Sequence, residues 1–119
     1  MPQQREKIFQ PRLRILLGRE IALGPGKAEL LRGIDRRGSI ALAAQDLGLS
    51  YMRAWTMLKT MKNCFRRPLV QVVRGGKKGG GARLTAEGKN ILRLYDKMET
   101  QSHRATHASW QNLRRHLRG

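Results

Sequence analysis

The stretch Ser39–Tyr51, SIALAAQDLGLSY, leaves the chain little conformational freedom. Ser39 can cap a helix on which Ile40, Ala43, Ala44 and Leu47 share one face. Gly48 can take the left-handed position that ends it, and Ser50 can cap a second helix after one intervening residue. Two helices joined by so short a turn must cross steeply. The small Ala43 and Ala44 permit close approach, and Leu49 can fill the angle, which is the pattern of a helix-turn-helix. The later helix is predicted from Tyr51 to about Cys64. Helical spacing turns Ala54, Trp55, Leu58, Met61 and Phe65 toward a core. Arg53, Thr56, Met57 and Thr60 point away, and Tyr51, Met52 and Arg53 form the first turn.

The flanking segments suggest what this unit packs against. Residues 1–11 are polar and charged, contain two prolines, and read as a flexible leader. LRILLGREIALG places two short apolar segments around Gly18 and Arg19, as a hairpin or one irregular edge strand. Pro25 suits a helix start, Ala28, Leu30, Leu31 and Ile34 share a face, and Gly38 can end that helix. After RRP, LVQVV reads as a strand and ARLT as its returning partner. Thr85 can cap a final helix with Glu87 near its positive end and an apolar seam of Ile91, Leu92, Tyr95 and Met98. The expected architecture is mainly α with a small β wing. It forms one domain over residues 12–100, with 101–119 as a helical extension or frayed tail.

Charge is distributed unevenly. The formal net charge is +17, which attracts polyanions and makes nucleic acid the leading partner. No acid lies between Asp46 and Glu87, a span that holds Arg53, Lys59, Lys62, Arg66, Arg67, Arg74, Lys77, Lys78 and Arg83. A single-sign surface is therefore expected in the middle of the chain. From Arg74 to Arg83 five glycines and four basic residues alternate without an acid. Lys77 is followed by Lys78 and Gly79, not by Ser or Thr, so this is no P-loop, and the dinucleotide-binding glycine pattern is also missing. Glycines let a hairpin tip approach sugar and phosphate while Arg74, Lys77, Lys78 and Arg83 supply countercharge; a solvated linker is the other reading of the same letters. The later helix of a helix-turn-helix enters the major groove. The candidate DNA-binding set is therefore Ser39, Ser50, Tyr51, Arg53, Thr56, Met57 and Lys59 with those four wing cations.

Other chemistries find little support. Cys64 is the only cysteine, which excludes an internal disulfide framework and a cysteine-cluster zinc site and suits a reducing cytoplasm. It reads as a small core filler beside Phe65. No run approaches the roughly 20 apolar residues of a membrane span, and the first residues lack a signal peptide's apolar centre. His103 and His107 share a helix face, but without a nearby cysteine or paired carboxylate they are expected to face solvent. No metal, cofactor or catalytic residue is expected.

With both pieces in place, the segments LGPGKAELLRGIDRRGSIALAAQDLGLSYMRAWTMLKTMK and PLVQVVRGGKKGGGARLTAEGKNILRLYDKM carry a resemblance spanning Leu23 to Met98. The chain resembles the N-terminal DNA-binding domain of ModE-type molybdate-responsive transcription regulators, near the LysR-type winged helices. GSI, A-x-x-LG-x-SY-x-x-AW and GG-x-x-GGGA-x-LT-x-x-G are specific in combination, whereas LT-x-x-G alone occurs in many winged helices. The resemblance implies a winged helix-turn-helix with a C-terminal dimerisation helix. Ser50, Tyr51, Arg53, Thr56 and Met57 would lie on the DNA-reading helix and Gly75 to Gly81 on the wing. Ile91, Leu92, Tyr95 and Met98 would form a homodimer interface, although those residues could equally pack within their own domain. Such regulators continue into oxyanion-binding domains that these 119 residues do not contain, which leaves effector sensing open between a stand-alone regulator, a subunit working with a separate effector-sensing protein, and a piece of a longer chain. The expected function is a sequence-specific, double-stranded-DNA-binding transcription regulator. A nucleoid-type architectural protein with little base preference, or an adaptor docking through its final helix, are the alternatives.

Overall fold

A computed structural model of the chain describes residues 5–73 and 81–119. Strands β1 (Ile15–Leu17) and β2 (Glu20–Leu23) pair antiparallel, with a register irregularity between Ile15 and Leu16. The open choice at LRILLGREIALG is thus resolved as a hairpin. Gly18 takes φ 61° at the turn while Arg19 keeps a negative φ, as in a II′-type connection. Helices α1 (Pro25–Arg37), α2 (Ile40–Asp46) and α3 (Tyr51–Cys64) follow. A second antiparallel hairpin comes next, β3 (Val70–Val73) with β4 (Gly81–Leu84), and last a long helix α4 (Ala86–Arg114). The predicted mainly α architecture with a small β wing is what the chain adopts. Among the described residues no helix is long and apolar enough to cross a membrane.

Local chemistry sets the helix ends. Pro25 sits in the first turn of α1, and Gly38 closes it at φ 65° with its N–H bonded to the Ile34 carbonyl at 2.8 Å. At the end of α2, Leu49 N–H reaches the Ala44 carbonyl at 2.9 Å and Gly48 N–H the Gln45 carbonyl at 3.1 Å, with Gly48 at φ 68°. That is a Schellman closure, and it needs the left-handed residue that only glycine supplies without cost. Ser39, Ser50 and Thr85 cap α2, α3 and α4 by accepting from the N–H groups of Leu42, Arg53 and Gly88.

The core lies where α1, α2 and α3 meet β2, β4 and the first half of α4. Leu23, Leu30, Leu31, Ile34, Met61 and Tyr95 are its largest fully buried side chains. Ala43 permits close approach, but mainly to α1: a Cβ added at Gly33 would lie 3.0 Å from the Ala43 Cβ. Leu49 packs against the core at the α2–α3 angle. The base of the second hairpin is tied down on both sides. Ala82 N–H donates to the Gly38 carbonyl at 3.0 Å and Thr85 N–H to the Leu69 carbonyl at 2.9 Å.

Helix α4 has 29 residues and so extends about 43 Å, well beyond the core. The Arg32 guanidinium on α1 pins it by donating to Asp96 and, at 3.4 Å, to Glu99. Desolvation alone would lower the Arg32 pKa, but those carboxylates, with Glu29, raise it instead, so the group stays charged. Further along, Phe9 of the leader stacks on Trp110 at 5.6 Å between centroids and meets His103 edge-on at 6.0 Å. Tyr95 joins the two ends of the chain by donating to the Leu13 carbonyl at 2.8 Å. Burial first, then Glu99, holds its phenol above the ordinary range against the opposing Arg32 charge, which keeps the donor proton in place. Tyr95→Phe is expected to cost about 1 kcal/mol, since it strands that carbonyl while sparing the packing. The transition in a thermal melt should drop by about 4 °C; an unchanged Tm would show that water replaces the phenol without loss.

Candidate nucleic-acid interface

The interface is built on α3, whose inner row is Ala54, Leu58 and Met61. The edges of that row differ from the sequence expectation. Trp55, expected in the core, is 38% exposed and tilts against Tyr51 with 6.0 Å between ring centroids. Met57, expected to point outward, is half-buried against the core beside Gly26. Each lies roughly a quarter turn from the centre of the inner row, on opposite sides. The Met57 side has a glycine of α1 to pack over. The Trp55 side faces an open groove of about 630 Å³ lined by Met52, Trp55, Lys59, Lys62, Val70 and Val72. Phe65 is half-buried and packs against the core from the helix end. Cys64 is half-buried as well.

Ser50 accepts from Arg53 N–H at 3.0 Å and Ser39 from Leu42 N–H at 3.1 Å. Each hydroxyl thereby spends an acceptor position and keeps its own proton for an outside acceptor. Tyr51 is 50% exposed, and Arg53, Thr56 and Lys59 are exposed on the outward half of the helix. Thr56 is less free than its exposure suggests, because its Oγ1 donates to the Met52 carbonyl at 3.0 Å. On the opposite face of the second hairpin from Val70 and Val72, Arg83 on β4 is exposed and donates from Nε to Gln71 on β3 at 3.2 Å, an arrangement set by the Gln71–Arg83 register. Arg74, Lys77 and Lys78 lie outside the described residues.

The electrostatics of this face are one-sided. The ion pairs among the described residues join Arg32 to Asp96 and Glu99, and Arg37 to Asp46. Arg53, Lys59, Lys62, Arg66, Arg67 and Arg83 are all exposed, and none of them is in an ion pair among those residues. Such a surface offers charge to an external anion without first breaking an internal ion pair. Among the described residues no group of three or more His, Cys, Asp or Glu could hold a metal.

The four residues anticipated as a dimer seam separate into two kinds. Leu92 and Tyr95 are buried within the chain's own core, Ile91 is half-buried, and Met98 is 42% exposed. Leu94 is also exposed, and was not anticipated. Met52 and the groove beside it were likewise not singled out. A methionine in the first turn of a helix is as easily read as filler, and only the position of β3 shows that it is left uncovered among the described residues.

No family model matches the chain. It is 42% identical over 80 residues to the molybdenum transport protein ModE of Azotobacter vinelandii, covering 67% of this chain and 30% of that protein. It is 40% identical over 92 residues to the transcriptional regulator ModE of Haemophilus influenzae, covering 76% of this chain and 36% of the relative. It is 40% identical over 77 residues to the molybdenum-pterin-binding protein MopA of Rhodobacter capsulatus, covering 65% and 29%. The chain therefore spans about a third of the length of the curated relatives it matches.

Proposed function

From the premise that this chain is related, over most of its own length, to the ModE-type transcription regulators, we propose that it binds duplex DNA sequence-specifically and regulates transcription. The observation that carries this reading is the outward half of α3. It has a serine-capped N-terminus, a row of exposed cations in no ion pair among the described residues, and the β3–β4 hairpin alongside. Helix α3 enters the major groove with its first turn deepest. Arg53 reads a guanine edge, Tyr51 and Lys59 reach bases or phosphates, and the Ser39 and Ser50 hydroxyls donate to phosphate. Arg83 and the wing cations Arg74, Lys77 and Lys78 hold the backbone.

The DNA-binding unit spans residues 12–100, with 101–119 as a helical extension. Two copies pair through the row of α4 that their own cores leave open, at Ile91, Leu94 and Met98. This narrows the seam read from the sequence, because Leu92 and Tyr95 are already used inside each domain.

Selection from a random duplex pool at about physiological salt tests the reading. Enrichment of a palindrome with half-sites about one helical turn apart is the expected result. Binding without enrichment would favour the architectural alternative, for which the net charge of +17 is the supporting observation. On the selected site, Arg53→Ala is expected to reduce discrimination at one G·C pair by roughly 10- to 100-fold, the worth of one bidentate contact. Unchanged preference at every position in a competition assay would remove Arg53 from the reading role.

A further inference from the structure

Met52 is the most exposed large hydrophobic residue among those described, at 77%. It sits in the first turn of α3, one helical turn before Thr56. Thr56 Oγ1 donates to the Met52 carbonyl at 3.0 Å, and Thr60 Oγ1 donates to the Thr56 carbonyl at 3.1 Å. A threonine hydroxyl has one proton, and Thr56 spends it on its own helix. What Thr56 offers outward is therefore chiefly its methyl group, next to the Met52 thioether chain. Among the cations and aromatic rings of this face lies an apolar pair without a donor.

The surroundings specify what such a pair could meet. Arg53 lies on one flank and Lys59 on the other, with Lys62 further along, and there is no acid on α3, β3 or β4. An apolar spot beside the exposed Tyr51 and Trp55, with cations around it and no acid near, fits a polyanion that carries apolar groups between its charges. In duplex DNA those groups are the 5-methyls of thymine, which line the major groove while the phosphates run along its rims.

We propose that Met52, with the Thr56 methyl beside it, contacts thymine 5-methyl groups and makes one or two T·A pairs part of the preferred site. The proposal rests on the DNA-reading role above and adds to it a base class that the helix's charged residues cannot distinguish. Arg53 selects by hydrogen bonding; Met52 selects by burying a methyl group that cytosine and uracil lack.

Deoxyuridine substitution isolates that group, since it removes the methyl and leaves base pairing and every hydrogen-bonding edge unchanged. On the selected duplex, single T-to-dU changes are scanned by equilibrium titration. The full chain is compared with Met52→Ala and Met52→Leu. The wild-type protein is expected to lose about fourfold in affinity at one or two thymines, the effect of about one buried methyl, and nothing at the others. Met52→Ala should bind the thymine duplex as weakly as wild type binds the uracil duplex, with no further loss at those positions. Met52→Leu, still apolar, should keep the preference. Uniform indifference to dU on a duplex that is bound specifically would overturn the proposal, as would a Met52→Ala protein that keeps the full uracil penalty. A pool selection that enriches no site would instead overturn the DNA-reading role itself. The two failures are therefore separable.

Discussion

A Gly88→Ala protein is expected to lose a large share of its folding stability. A Cβ at that position would lie 2.1 Å from the Leu69 carbonyl oxygen and 3.0 Å from its carbon, which are backbone atoms that no rotamer change can move. The carbonyl is itself held in place. It accepts from Thr85 N–H at 2.9 Å, while Thr85 Oγ1 donates to the Pro68 carbonyl at 2.7 Å and accepts from Gly88 N–H at 3.0 Å. Relieving the clash means withdrawing the start of α4 from β3, and with it Leu69, Leu84 and Leu92 from the core. Overpacking a core with a methyl commonly costs about 1–3 kcal/mol; against fixed backbone the cost should exceed about 4 kcal/mol, a large share of a small domain's stability. Circular dichroism melts would show a lost or strongly lowered transition. Gly26→Ala serves as the control, because its Cβ would meet only the Met57 terminal methyl at an ordinary 3.6 Å and should leave the melt near wild type. A native-like Gly88→Ala melt would mean that the β3–α4 corner has slack not apparent from the backbone.

Affinity for duplex DNA is expected to fall by roughly three orders of magnitude or more between about 50 and 200 mM monovalent salt. The six exposed cations Arg53, Lys59, Lys62, Arg66, Arg67 and Arg83, together with those of the wing segment, are enough for the half-dozen phosphate contacts that such a slope requires. Replacing Lys77 and Lys78 together by alanine should flatten the slope of log K against log salt by roughly two units. It should also weaken all duplexes about equally. A wild-type slope shallower than about −2, measured by titration at several salt concentrations, would show that this charge is not spent on phosphate.

Much of this architecture is legible in the sequence because its boundaries are made by local chemistry. Gly38, Ser39, Gly48, Ser50 and Thr85 each start or stop a helix through a bond to a residue a few positions away, Pro25 starts one through its fixed φ, and such local signals leave their mark in spacing. The edges of helical faces are less legible. Trp55 and Met57 flank the same inner row of α3, and the periodicity does not say that Gly26 leaves room on one side while β3 stands off on the other. The apolar seam of α4 has the same ambiguity on a larger scale. Leu92 and Tyr95 fit a partner helix as well as a core until the fold shows α1 and Leu13 already against them. The approach of Gly88 to Leu69 is a contact between distant parts of the chain and leaves no trace in composition. Arg53 was legible as a candidate because charge on an outward helix face is unusual in one respect only, its lack of nearby acids, and that can be counted. Met52 could not be weighed until its exposure was known.

The placement of the acids has a kinetic consequence. They lie on β2, α1, α2 and α4 and in the leader, and are missing from α3 and both wing strands. Positive charge at the face proposed to read DNA is therefore not offset by any acid on its own elements. A polyanion approaching that face meets attraction without local repulsion, which raises the share of encounters there that lead to capture. An acid placed on α3 or β4 would slow capture even where it touched nothing, whereas the same acid on the far side of α4 would lower the total charge while leaving the field at that face nearly intact.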